Sequence, residues 1–149
     1  MTALKLLYNF IFKTKRRSLE IKTIFLTAHA SFCIKLYPGS RIHNLLGKKG
    51  EESSHQELER YEDRQNIYFV SDKLARVSRR VPWDCKCLVQ AMTAQRLLRD
   101  YGLSSTLYLG VGRDNKTGEM IAHAWVRCGT HAVCGGNGED YGVVASFLM

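Results

Sequence analysis

Proline is scarce in this chain of 149 residues: only Pro38 and Pro82 occur. A proline-rich or collagen-like chain is therefore excluded. Long apolar runs are also missing. The uncharged run between Lys22 and Lys35 has 12 residues and contains His29, too short for the ~20 residues that span a bilayer. The pair Gly110-x-Gly112 lacks the third glycine and following helix of a dinucleotide fingerprint. There is no Gly-Lys-Ser/Thr loop to cradle phosphates, no internal repeat and no low-complexity tract.

What is present describes a globular chain. Hydrophobic residues make up 45% and charged residues 24%, near the average for folded domains. The length fits one domain, residues 1–149, and needs no disulfides to hold its core. The net charge is +8, and its placement is uneven. Residues 1–49 hold ten basic residues and one acidic, residues 50–80 six and seven, and residues 81–149 six and six. The excess sits in the first third, a pattern that suits an acidic partner, a nucleic acid or a membrane surface.

Five cysteines (Cys33, Cys85, Cys87, Cys128, Cys134) leave an odd thiol, which fits a reducing cytosol better than secretion. The start does not resemble a signal peptide. Asn9 interrupts the apolar stretch from Leu6 to Phe12, and Lys13, Lys15, Arg16 and Arg17 follow that stretch instead of preceding it.

Periodicity divides the chain at about residue 80. Leu4, Leu7, Tyr8, Ile11 and Phe12 predict an amphipathic helix. A second helix is expected from Ser18, as N-cap, to about Leu36, ended by Pro38-Gly39. Residues 47–65 read as a polar connection with one short helix. Ile67, Val70, Leu74 and Val77 mark a third helix that stops before Pro82. Asp84 is the expected N-cap of a helix from Cys85 to Tyr101, closed by Gly102. After that the period becomes two: Thr106–Val111, a turn at 114–118, Met120–Cys128, then short strands near 130–133 and 141–147. The class is α+β, with a helical, basic region at 1–80 and a helix followed by antiparallel strands at 81–149.

The chemistry-bearing residues lie in the second part. A thiol in the first turn of a helix feels the positive end of the dipole, which favours the thiolate. On the strand 120–128, Ile121, His123, Trp125 and Arg127 share one face, with the small Ala122 and Ala124 on either side of His123. A helix-start cysteine facing a strand histidine is the core of papain-like and transglutaminase-like enzymes.

Arg80-Val81-Pro82-Trp83, Cys87-Leu88-Val89-Gln90-Ala91, Leu97-Leu98-Arg99, Gly102, Leu107-Tyr108-Leu109-Gly110-Val111 and Ala122-His123-Ala124-Trp125-Val126-Arg127 occur in this order, followed by Gly135-Gly136, Tyr141 and Phe147. Over residues 80–147 this resembles the leader peptidase (B2 protein) of lasso-peptide biosynthesis, a transglutaminase-like cysteine protease. The resemblance implies removal of the leader from a ribosomally made precursor in a bacterial cytoplasm. It implies Cys87 as nucleophile and His123 as base. It also implies two partners besides the precursor: a separate leader-recognition protein of winged-helix-like fold, and an asparagine-synthetase-like cyclase that closes the macrolactam. The family completes its triad with an acid about one strand beyond the histidine, but here that stretch reads His131-Ala132-Val133-Cys134-Gly135-Gly136. Asp140 is the expected third member, with Asn137 its rival.

The remaining candidates take plainer roles. Trp83 and Trp125 are expected as walls of the site, with Cys87 at the oxyanion position. The spacings Cys85-x-Cys87 and Cys128-x5-Cys134 are not those of a zinc site, so neither metal nor cofactor is expected. Cys33, Cys85, Cys128 and Cys134 are expected to pack as small hydrophobes, and His29, His43, His55 and His131 to be structural. The basic third is read as a docking surface or a solvated face ahead of a nucleic-acid or membrane contact. The competing class is a non-catalytic scaffold that presents the precursor to the cyclase.

Overall fold

A computed structural model describes the backbone of residues 3–149 and the side chains of residues 13–149. The elements in order are α1 (Ala3–Leu36), α2 (Gly39–Leu45), β1 (Lys48–Lys49), α3 (Tyr61–Ser78), α4 (Cys87–Asp100), β2 (Thr106–Arg113), β3 (Met120–Cys128), β4 (His131–Cys134) and β5 (Gly142–Leu148). The strands form one antiparallel sheet in the order β1-β5-β2-β3-β4. The α+β expectation holds.

Several boundaries differ from the sequence reading. The two expected N-terminal helices are one continuous helix of 34 residues, with Ser18 inside it. No proline or glycine lies between residues 3 and 36, so nothing forces a break there. The apolar pattern at Leu4–Phe12 lies outside the described side chains. The helix ends at Leu36, just before Pro38-Gly39 as expected, and Pro38 then stands at the N-cap of the short α2 with φ −64°. The connection at 47–60 contains the two-residue strand β1 instead of a helix, because Gly47, with φ +106°, brings the chain against the Leu148 carbonyl, closer than any Cβ would allow.

One face of the sheet carries the core. Ala124, Val126 and Cys128 of β3 and Leu107 of β2 join Phe147 of β5 beneath the helices. α4 lies on this face and buries Val89, Ala91, Met92, Ala94, Leu97 and Leu98. α3 packs beside α4 through Ile67, Val70, Leu74 and Val77, the four positions its periodicity marks. α1 turns Thr23, Thr27, Ala30 and Cys33 inward, residues small enough to let it approach closely. Its outer side leaves Ile21, Phe25, Phe32 and Leu36 exposed.

The opposite face is smaller and aromatic. Tyr108 stacks on Trp125 with ring centroids 5.4 Å apart. Arg127 ties this face to the 51–60 connection. Its guanidinium donates to the carbonyls of Ser53 (3.0 Å), Ser54 (2.9 Å) and Gly129 (2.7 Å) and to the Tyr108 hydroxyl (3.0 Å). The Tyr108 hydroxyl in turn donates to Glu52 (2.7 Å), and these contacts hold the Glu52 carboxyl below the usual carboxylate range.

Two phenylalanines, one in the core and one on the outer side of α1, make an internal test of burial. Phe147 is 0% exposed and Phe25 71%. Phe147→Ala should cost about 3–5 kcal/mol of unfolding free energy. Phe25→Ala should stay within about 0.5 kcal/mol. Urea midpoints at constant m-value measure both.

Candidate active site

The chain between α3 and α4 sets where the first thiol sits. Trp83 donates its indole N–H to Thr27 Oγ1 of α1 at 3.3 Å, which pins the 79–86 segment to the first helix. α4 then begins at Cys87, two residues later than expected. Lys86, not Asp84, takes the N-cap position, and it supplies no side-chain cap. Asp84 instead faces Lys35 at 3.9 Å. The Gln90 side chain reaches back to the Cys85 carbonyl at 2.8 Å and closes the turn. Cys87 is thus the first helical residue, at the positive end of a 14-residue helix whose opening N–H groups have no side-chain acceptor.

The other thiols of the second half are held protonated. Burial pushes Cys85 and Cys128 up to about 11. Burial pushes Cys134 up to about 12, with charge on the neighbouring Cys87 and Cys85 adding to the shift. Cys85, Cys87 and Cys134 all pack, partly buried, against the helix-side core. Among the described residues no group of three or more His, Cys, Asp or Glu is arranged to hold a metal ion.

His123 lies on the aromatic face, as the alternation of β3 predicts. Its ring stacks on Tyr141 at 4.6 Å and on Trp125 at 6.0 Å. Its Nε2 is 2.7 Å from the carbonyl oxygen of Gly135. A carbonyl only accepts, so Nε2 carries the proton, and in the neutral ring Nδ1 keeps the lone pair. The hydrogen bond that orients the imidazole thus comes from the backbone. Neither proposed third member holds it: Asn137 Oδ1 accepts from the Glu139 N–H at 3.3 Å, and among the described residues Asp140 has no hydrogen bond to His123.

The thiol and the imidazole approach from opposite faces of the sheet. Cys87 packs against the helix-side core, His123 sits in the aromatic stack, and among the described residues no hydrogen bond joins them. What they share is the stretch Cys134-Gly135. Cys134, like Cys87, packs against the helix-side core, and Gly135 holds His123. Gly135 has φ +78°, and a Cβ there would lie 2.4 Å from the Ala124 carbonyl, so only glycine passes this close to β3.

Trp125 is only 5% exposed, covered by a loop whose Gly138 leaves no room for a Cβ against its ring. Its edge reaches a cavity of about 300 Å³ that Tyr108, Arg127 and Asn137 also line. A second cavity, of about 350 Å³, lies among Lys15, Leu19, Tyr61, Gln65 and Tyr101, with no thiol in its wall. Sequence reasoning missed Gly135, because a carbonyl acceptor leaves no trace in residue type. It also missed Tyr141 as a ring partner of His123, although the aromatic type was visible.

The comparisons with known proteins agree with this arrangement at the level of fold. The model of the transglutaminase-like superfamily matches residues 34–146, which takes in the end of α1 and most of β5. No curated protein and no solved structure matches. A match over this share of the chain, with a cysteine opening a helix that lies on an antiparallel sheet, identifies it: the chain belongs to the transglutaminase-like superfamily.

Proposed function

We propose that the protein is a cysteine peptidase that removes the leader from a ribosomally made lasso-peptide precursor, in a bacterial cytoplasm and as one domain. The observation that carries this reading is the position of Cys87. It is the first residue of α4, at the positive end of a 14-residue helix. Family membership and the Cys87-Leu88 and His123-Ala124-Trp125 motifs support it.

In this mechanism the Cys87 thiolate attacks the carbonyl at the leader–core junction. The first-turn N–H groups of α4 stabilise the oxyanion. His123 removes the thiol proton through Nδ1 and returns it to the leaving amine of the core peptide. Water then adds to the thioester, with His123 as base, and releases the leader as a carboxylate. The Gly135 carbonyl fixes the tautomer that this requires. The freed core amine passes to the macrolactam cyclase. A separate recognition protein binds the leader.

A specific observation favours the competing reading, a scaffold that presents the precursor without cutting it. His123 has no carboxylate partner among the described residues, and no hydrogen bond reaches it from Cys87. Iodoacetamide separates the two readings. A catalytic Cys87 alkylates much faster than buried Cys33, and a scaffold labels slowly at both.

The basic third is the proposed docking surface. α1 has a single acid after residue 12, Glu20, and Lys73 of α3 engages it at 3.2 Å. Its exposed Ile21, Phe25, Phe32 and Leu36 run beside Arg17 and Lys35 at helical spacing, so an acidic partner with apolar side chains is complementary to it. Among the described residues no helix is long and apolar enough to cross a membrane.

Three outcomes check these assignments. Cys87→Ala should abolish leader release and Cys85→Ala should keep most of it, read by mass spectrometry after co-expression with precursor, recognition protein and cyclase. Equal loss in two folded variants would move the nucleophile away from Cys87.

His123→Ala should lower the rate by about 10²–10⁴ without unfolding the protein, whereas His131→Ala should be nearly silent. Full activity in the His123 variant would sink the cysteine–histidine mechanism.

Arg16 lies over the Phe69 ring at 5.4 Å, so the cleanest charge reversal spares it. Lys13→Glu, Lys15→Glu and Arg17→Glu together should weaken assembly with the precursor complex. They should also flatten its salt dependence, since screening acts over ~8 Å at physiological ionic strength. Equal rates and equal salt slopes in both proteins would reduce the basic third to a solvated face.

A further inference from the structure

β4 covers only part of β3. The ladder between them pairs Val126 with Cys134, Arg127 with Ala132 and Cys128 with His131. The first half of β3, Met120–His123, has a strand neighbour on one side only, β2. The hydrogen-bond parity says which backbone groups are left over. Asp114 donates to the Glu119 carbonyl at 2.9 Å. In an antiparallel ladder bonded pairs alternate, so Ile121 and His123 face β2, and Met120 and Ala122 point their N–H and C=O groups away from it. The Ala124 carbonyl, close against Gly135, points the same way and confirms the parity. Among the described residues no backbone bond reaches Met120 or Ala122 on that side.

This short edge immediately precedes His123, and β3 continues from it to the Ala124 carbonyl that lies against Gly135. A sheet edge is where the two faces meet. A chain lying along it is open to a thiol from the helix side and to an imidazole from the aromatic side. Met120 is 74% exposed and Ala122 carries only a methyl group, so no side chain screens the donors and acceptors. Self-pairing is the other use of a free edge, but the place of this edge directly before His123 favours a peptide that must reach the imidazole.

We propose that the free edge of β3 at Met120 and Ala122 is the docking strand for the main chain of the peptide substrate, which adds to the sheet as a further strand. The proposal rests on the peptidase reading and says how that enzyme holds its substrate. Recognition here is through backbone groups, so it is indifferent to side-chain sequence on either side of the cut.

The test uses acetyl-Leu-Leu-argininal, an extended peptide aldehyde that adds to thiolates, with the full-length protein. The aldehyde should slow amide exchange at Ala122 and alkylation of Cys87, each by about tenfold, the scale of one or two net hydrogen bonds. Exchange at Ile121 and His123, already bonded to β2, should not change. In Ala122→Pro, which removes only the outward N–H, the ratio of alkylation rates with and without aldehyde should fall towards one. Aldehydes N-methylated in turn at each amide should include one that loses protection, a control that needs no protein variant. Unchanged exchange at Ala122, or full protection of Ala122→Pro and of wild type by every methylated analogue, would overturn the proposal. The peptidase reading fails separately, if Cys87 in the free protein alkylates no faster than Cys33. The non-reactive acetyl-Leu-Leu-Arg-amide, read by exchange at Ala122, then still decides whether the edge takes a strand.

Discussion

The packing of α4 on the Ala124–Val126 face of β3 is the constraint on which the rest of the molecule depends. α4 contributes eight buried residues, and its close fit over the sheet requires small residues on β3 beneath it. Ala124 supplies one. That contact fixes the height of the α4 N-terminus over the sheet, and so the place of Cys87. It also makes β3 two-sided: alanine and valine must face the helix, and His123, Trp125 and Arg127 must therefore face away. A register slip of one residue would bury Arg127 under α4 and expose Val126. The position of the imidazole is thus set by hydrophobic burial on the face it does not occupy.

The second face is held by polar contacts in place of volume. The Arg127 guanidinium satisfies carbonyls of Ser53, Ser54 and Gly129, and Ser53 N–H donates to Thr106 Oγ1 at 2.8 Å. These bonds lay the 51–60 connection across the sheet and keep water from Tyr108. The 135–140 loop covers Trp125 from the other side, through close approaches that only Gly135 and Gly138 permit. Trp125 is therefore a floor for the His123–Tyr141 stack more than a wall of an open cleft, and the small cavity at its edge lies beside that stack.

Much of this was legible in the sequence, for reasons that can be named. The face of α3 followed from Ile67, Val70, Leu74 and Val77, because a 3.6 period admits one register. The strands β2 and β3 followed from strict alternation, and Gly102 closed α4 with φ +72° as its position at C′ requires. The start of α4 was misplaced because Asp84 is a good cap by residue type, yet the chain is held there by Trp83 on α1, a tertiary contact 56 residues away in sequence. The single α1 was divided because Ser18 resembles a cap, although nothing nearby breaks a helix. β1 was invisible: two lysines carry no strand signal, and only the Leu148 end of β5 makes them one. In the site, residue type pointed to Cys87 and His123, but the acceptor on His123 is a main-chain oxygen, which sequence cannot mark.

That acceptor has chemical consequences. A carboxylate on Nε2 would orient the ring and also stabilise the imidazolium by charge. The Gly135 carbonyl orients it equally well, with the same tautomer, but it contributes a dipole in place of a full charge. α4 places the positive end of its dipole at the backbone of Cys87. The proposed nucleophile and base thus both meet backbone groups, a helix N-terminus for Cys87 and a carbonyl for His123. The turn at Cys134-Gly135 serves both faces: it places a carbonyl on His123, and Cys134 packs against the same helix-side core as Cys87. The glycine geometry of that turn, more than a third side chain, is what orients the His123 ring.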